Sequence, residues 1–212
     1  MRKVLSFLLV ISLLSCKKDR NAIISDDFYF KGKINGEMIN WTVNYKNSDD
    51  LPYRAGASRG YSDLSDSCVN GYCYYLVGYT EIYKNNAETM PQINVGYSNA
   101  AHTGEKAELE SWFSPGIKNF GTYRTSQQLL DSSKNGINIY YIDQNHKSWS
   151  SLIGDQIGST FESISLTVEK RPEGIQQYEK IWKARFSCKL YDDKGNFIKI
   201  DDGEICGPVI PK

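Results

Sequence analysis

Apolar and polar residues alternate most regularly in FYFKGKINGEMINWTV, residues 28–43. Taking Asn35-Gly36 as a two-residue type I′ turn sets Phe30 opposite Trp41, Gly32 opposite Ile39 and Phe28 opposite Val43. Nearly every apolar side chain then shares one face. Lys31, Lys33, Asn40 and Thr42 point the other way, the period-2 signature of a sheet buried on one side. A second alternation occupies IWKARFSCKLY, where Trp182, Ala184, Phe186, Cys188 and Leu190 interleave with Lys183, Arg185, Ser187 and Lys189. The following DDKGNFIKI turns the chain back. For Ile198 and Ile200 to join the inner face the loop must hold an odd number of residues, as with 193–195 and Gly195 in the left-handed position of a bulge.

Shorter strand signals occur in YYLVGYTEIY, QINVGY, GINIYYI and SISLTV, separated by glycine, proline and asparagine clusters. TSQQLLDSSKNG alone reads as helical, with Thr125 or Ser126 as its cap and room for about two turns. Short strands at these spacings predict an all-β domain: a single antiparallel β-sandwich, with a closed β-barrel as the alternative. Fifteen Tyr, eight Phe, four Trp and 17 Gly agree with strands and turns rather than helices.

The long apolar run VLSFLLVISLL, residues 4–14, follows Arg2 and Lys3 and ends at Ser15-Cys16. Its 11 residues fall well short of the roughly 20 that a membrane-spanning helix needs, so it reads as a signal-peptide core. LLSCKKD resembles the lipobox of bacterial lipoproteins. That resemblance implies cleavage before Cys16, a diacylglyceryl group on its thiol and acylation of the new amino terminus. Each buried methylene contributes about 0.8 kcal/mol and two or more acyl chains hold stably, so a lipidated Cys16 anchors a domain without a spanning segment. The expected organisation is a lipoprotein signal peptide over 1–15, the lipidated cysteine and a polar tether over 16–27, and one all-β domain over 28–212. Losing Arg2 and Lys3 leaves 23 of the 25 basic side chains against 25 acidic ones. Such a near-neutral chain has no phosphate-tracking surface, and nucleic acid is not an expected partner.

An exported chain permits disulfides among Cys68, Cys73, Cys188 and Cys206. In SCVNGYC a turn at Asn70-Gly71 places Cys68 opposite Cys73 at a non-hydrogen-bonded position, about 4.5 Å between Cα atoms, within disulfide reach. This is the leading pairing, contributing roughly 2 kcal/mol. Cys188 to Cys206 is the remaining candidate. A straight hairpin through Gly195 sets Cys206 opposite Trp182, about 20 Å along the strand from Cys188, so that bridge requires the chain to leave the sheet around residues 201–204. Four cysteines allow three connectivities. Zinc is the sharper alternative, but a C-x4-C spacing without a C-x2-C knuckle does not favour it.

No catalytic, metal or cofactor site is expected. GASRG matches G-x-S-x-G around Ser58, a motif that carries meaning only on a strand-turn-helix elbow. His102 and His146 are the only histidines; Asp143 three residues before His146 reads as turn chemistry rather than a base and its orienter. The paired aspartates at 49–50, 192–193 and 201–202 lack EF-hand spacing. Aromatics are the remaining candidates: Tyr75 and Tyr79 in a tyrosine-rich stretch, and Trp112 and Trp149 beside turn-like sequence, are positioned to stack on sugar faces or anchor a partner if exposed.

Together LLSCKKD, the F-x-F-x-G-x-I-N-G hairpin ending at Trp41, and F-S-C-K-L-Y resemble small all-β envelope lipoproteins of Bacteroidota whose function is unknown. The resemblance implies a protein lipid-anchored at the outer membrane through Cys16, and supplies no catalytic residues. The expected activity is a non-catalytic binding module for a glycan or an envelope protein. A hydrolase built on Asp143, His146 or Ser58, and a structural or inhibitory envelope protein, are the alternatives.

Overall fold

A computed structural model describes residues 28–43, 53–63, 74–84, 91–101, 106–122, 131–168 and 178–211. The expected signal peptide, lipidated Cys16 and tether, the expected Cys68 to Cys73 pairing, His102, and the segment holding Thr125 and Ser126 lie outside the described residues. So do the side chains of Ser58, Tyr75 and Tyr79.

The strands in chain order are β1 (Phe28–Ile34), β2 (Glu37–Val43), β3 (Tyr53–Asp63), β4 (Tyr74–Lys84), β5 (Gln92–Ala101), β6 (Gly116–Ile117), β7 (Gly136–Ile142), β8 (Ser148–Ser150), β9 (Thr160–Val168), β10 (Tyr178–Tyr191) and β11 (Phe197–Pro211). Among the described residues one helix, α1 (Lys106–Phe113), precedes β6, and a 3-10 turn covers Ser132–Lys134. The ladders between strands are antiparallel and run β2-β1-β11-β10-β8-β7-β5-β4-β3, with β9 beside β10 and β6 on β9.

β10 is where the sheet divides. From Lys180 to Ser187 its free edge pairs with β9, and at its end Tyr191 meets Ser150 of β8. The sheet therefore folds over on itself, and β3 and β4 pack across from β11. This is an all-β sandwich. The barrel alternative fails because β2 and β3, at the two ends of the path, do not pair with each other among the described residues.

The two hairpins follow from local rules. Asn35 and Gly36 both take positive φ, 52° and 86°, as a type I′ turn requires. The ladder matches the expected register, Phe30 to Trp41 and Phe28 to Val43. In β10 the alternate residues Trp182, Ala184, Phe186, Cys188 and Leu190 are all buried. Leu190 pairs with Ile198 across a three-residue loop whose Gly195 has φ 82°.

Aromatic rings fill the interior. Phe161 stacks on Phe186 with centroids 5.5 Å apart, Phe113 meets Trp182 edge-on at 4.7 Å, and Trp41 of β2 reaches Tyr141 of β7 at 6.4 Å, joining the layers.

Three expectations need correction. The first is the Cys188 to Cys206 bridge: the two are not bonded to each other. Between Phe186↔Gly203 and Cys188↔Ile200 the ladder accommodates an extra β11 residue, a bulge with Asp202 at φ 54°. A bulge shifts the register by one, and with period 2 that exchanges the faces. Cys206 thus pairs with Lys183 and Tyr29 on the outward face, while Cys188 faces inward. The chain does not leave the sheet at 201–204. Second, a helix lies outside TSQQLLDSSKNG: α1 covers KAELESWF and takes in Trp112, expected beside turn-like sequence, while β3 adds a strand to those expected, with GASRG inside it and on no elbow. Third, Trp112 and Trp149 are buried, at 6% and 8% exposure. Trp112 closes α1 and stacks on Tyr97, centroids 5.4 Å apart.

Candidate functional site

The fork at β10 gathers three chain segments around one depression of about 330 Å³. Tyr140 comes from β7, Ser148, Trp149 and Ser150 from β8, Lys147 from the turn between them, Ile153 from the loop after β8, and Asp193 from the β10–β11 turn.

Each turn is built by an aspartate. In the β7–β8 turn Asp143 Oδ1 accepts the backbone N–H groups of Asn145 (2.8 Å) and Lys147 (3.0 Å), and Oδ2 accepts Trp149 Nε1–H (3.2 Å). Burial raises the Asp143 carboxyl, but these bonds outweigh it and hold the group below the usual carboxylate range. In the β10–β11 turn Asp192 Oδ1 accepts from the Lys194 and Asn196 amides, and Oδ2 from the Asn196 side chain. Lys147 joins the two turns with Nζ 2.8 Å from Asp192 Oδ2, an aspartate only 1% exposed. That contact, followed by the Asn196 bond, holds the Asp192 carboxyl far below its ordinary value.

The same ammonium lies 4.0 Å from the Trp149 ring centroid, a cation–π contact that covers one face of the indole. Tyr140 O–H donates to Ser148 Oγ at 2.7 Å. Tyr140 is partly exposed, and Ile153 is 39% exposed. The two turns are thus locked by paired groups, while a phenol ring, an aliphatic side chain, hydroxyls and the exposed Asp193 face solvent.

A second surface lies on the outward face of β1, β11, β10 and β9. Tyr29 O–H donates to Glu204 Oε1 at 2.5 Å, and the Glu204 carboxylate also takes Lys183 (3.2 Å) and Lys31 (3.5 Å). Arg185 pairs with Glu162 and Lys33 with Asp202, both at 3.2 Å. Burial first, and then the Glu204 bond, pushes the Tyr29 phenol up to about 12. Burial raises the Glu204 carboxyl, but the Tyr29 and Lys183 hydrogen bonds bring it below the usual range. A shallower region of about 320 Å³ beside this cluster is lined by Ile117, Glu162, Arg185, Asp202 and Glu204 among others.

Of the expected residues whose side chains are described, only Trp149 reaches the first depression, as part of its wall and not as an open stacking platform. Trp112 lies elsewhere in the core. Tyr75 and Tyr79 belong to β4, at register positions opposite Ala100 and Gly96 of β5. His146 is exposed at φ 61° and its N–H bonds the Asp143 carbonyl. The Asp143 carboxylate oxygens are engaged by N–H groups other than its imidazole. Ser58 lies three ladders from β7, about 14 Å at ~4.8 Å per strand, beyond hydrogen-bond reach of the Asp143 turn.

The sequence does not single out Tyr140, Lys147 or Ile153, and it places Asp193 only in the β10–β11 turn and in an aspartate pair without EF-hand spacing. Tyr140 was detectable in part: in GINIYYI the alternation that buries Ile137, Ile139 and Tyr141 turns Tyr140 outward. Comparison with known proteins finds no matching family model, no matching curated protein and no matching solved structure.

Proposed function

We propose that this chain is a lipid-anchored protein of the bacterial envelope that acts as a non-catalytic binding module, with the depression around Tyr140 as its recognition surface. The observation that carries the binding reading is the state of its polar groups. Lys147 with Asp192, Trp149 with Asp143, and Tyr140 with Ser148 are already paired, so the surface is preorganised. A ligand meets little reorganisation cost there, whereas a proton-transfer site needs a titratable group aimed at the reacting atom.

The anchor reading rests on the lipobox-like LLSCKKD. Among the described residues no helix is long and apolar enough to cross a membrane. A second reading, a protein partner on the outward face, is favoured by the array of Lys31, Lys183, Arg185, Glu162 and Glu204, since interleaved charges select partners more than they add affinity.

Detergent-phase partitioning of the full chain, wild type beside Cys16→Ala, tests the anchor. Wild type enters the detergent phase and takes up labelled fatty acid; Cys16→Ala stays aqueous and unlabelled. Equal partitioning of both would overturn the lipid anchor. Protease shaving of intact cells then separates a surface display from a periplasmic one.

A further inference from the structure

Resting on the binding-module reading but not on the lipid anchor, we infer that the depression at the β10 fork binds a neutral saccharide ring, with Tyr140 and Ile153 as its apolar floor and Lys147, Ser148 and Asp193 as its hydroxyl partners. Size comes first. At about 330 Å³ the depression lies at the small end of ligand sites, which run from about 300 to 1,000 Å³, room for a ring-sized unit rather than an extended peptide.

The lining has the two-sided character of a sugar. A pyranose presents axial C–H bonds on one face and hydroxyls around its rim, and the electron-rich face of a phenol suits the former. Tyr140 is the ring available, because the Lys147 ammonium already covers Trp149. Around it stand donors and acceptors together. Lys147 keeps N–H protons beyond the one given to Asp192, Ser148 Oγ accepts from Tyr140 and retains its own proton to donate, and Asp193 is an exposed acceptor. Such mixed hydrogen bonding suits vicinal hydroxyls, each of which both donates and accepts.

Charge decides between neutral and acidic sugars. The Lys147 cation is neutralised by Asp192 at 2.8 Å, and Asp193, which no ion pair among the described residues engages, adds a carboxylate to the lining. A uronate or sialate would bring a second negative charge beside it, and like charges at contact disfavour association.

The test is affinity electrophoresis of the full chain in non-ionic detergent, through native gels holding laminarin, yeast mannan or xyloglucan, with polygalacturonate as the acidic probe. At least one neutral polysaccharide retards wild type and polygalacturonate does not. Tyr140→Ala weakens that retardation tenfold or more, Tyr140→Phe retains most of it, and Asp193→Ala weakens it about threefold. Asp193 is exposed, so its variant reports on the site even if Tyr140→Ala fails to fold; Glu37→Ala on β2 serves as the distant control. Retardation unchanged in both Tyr140→Ala and Asp193→Ala would overturn this site while leaving a glycan-binding module. No retardation by any neutral probe would overturn the saccharide assignment and leave the protein-partner reading standing.

Discussion

Ser163 shows how much one hydroxyl carries in this interior. It is 1% exposed, accepts Trp182 Nε1–H at 2.8 Å and donates to the Phe113 carbonyl at 2.7 Å, tying β9, β10 and α1 together. Ser163→Ala leaves a buried donor and a buried acceptor unsatisfied, which costs about 1–3 kcal/mol; urea unfolding with an unchanged m-value is the measurement. Gly154 is constrained by contact instead. A Cβ there would lie 2.4 Å from the Tyr191 ring, whose O–H is held by the Asp155 carbonyl at 2.9 Å. Gly154→Ala therefore destabilises by about 1–3 kcal/mol, the usual range for overpacking, and a smaller change in the unfolding midpoint would show that the ring yields freely. The two described cysteines differ in reactivity for reasons of face. Burial, with the Asp201 charge adding to it, pushes the Cys188 thiol well up, and its thiolate is the reactive form. Peptide mapping after brief alkylation of the native chain should find Cys206 labelled and Cys188 unlabelled until denaturant is added; a Cys188–Cys206 disulfide peptide would contradict the register.

Ladders respond to pH through the groups that join them. Tyr29 on β1 and Glu204 on β11 share a hydrogen bond in which the phenol must keep its proton. With the folded phenol at about 12 and the unfolded one near 10, the native state binds more protons across that interval. Tyr29 contributes stability that is complete below about pH 10 and is lost as pH rises through about 12. Glu204 is shifted downward, so its contribution is present above the ordinary carboxylate range and fades on acidification. Urea midpoints at about pH 9 and about pH 11 should fall further in wild type than in Tyr29→Phe; parallel losses would mean that the bond does not couple to stability. The helix α1 illustrates the opposite dependence, on tertiary contact rather than titration. An eight-residue KAELESWF is too short to persist alone in water, and it is held by Trp112 against Tyr97 and by Phe113 against Trp182.

Across the whole molecule the layers share one core, and Trp41 against Tyr141 is a contact between them. Trp41→Ala should cost about 3–5 kcal/mol, with near- and far-ultraviolet dichroism still melting together; separate transitions would mean that the layers unfold independently. The alternation and turn chemistry of the chain determined the strand character of β1, β2, β10 and β11, the Asn35-Gly36 register and the three-residue loop at 193–195. Steric preferences of a few adjacent residues are enough for these, because the pleat repeats every two residues and a turn selects its own dihedrals. Tertiary structure alone decided that β11 lies between β1 and β10, that a bulge at Asp202 turns Cys206 outward, and that KAELESWF coils with Trp112 buried. It also decided that Tyr140, Ile153 and Asp193, distant in sequence, meet at the β10 fork. Each of these depends on partners contributed from far along the chain, and neither hydrophobic period nor turn residues encode which strand will supply them.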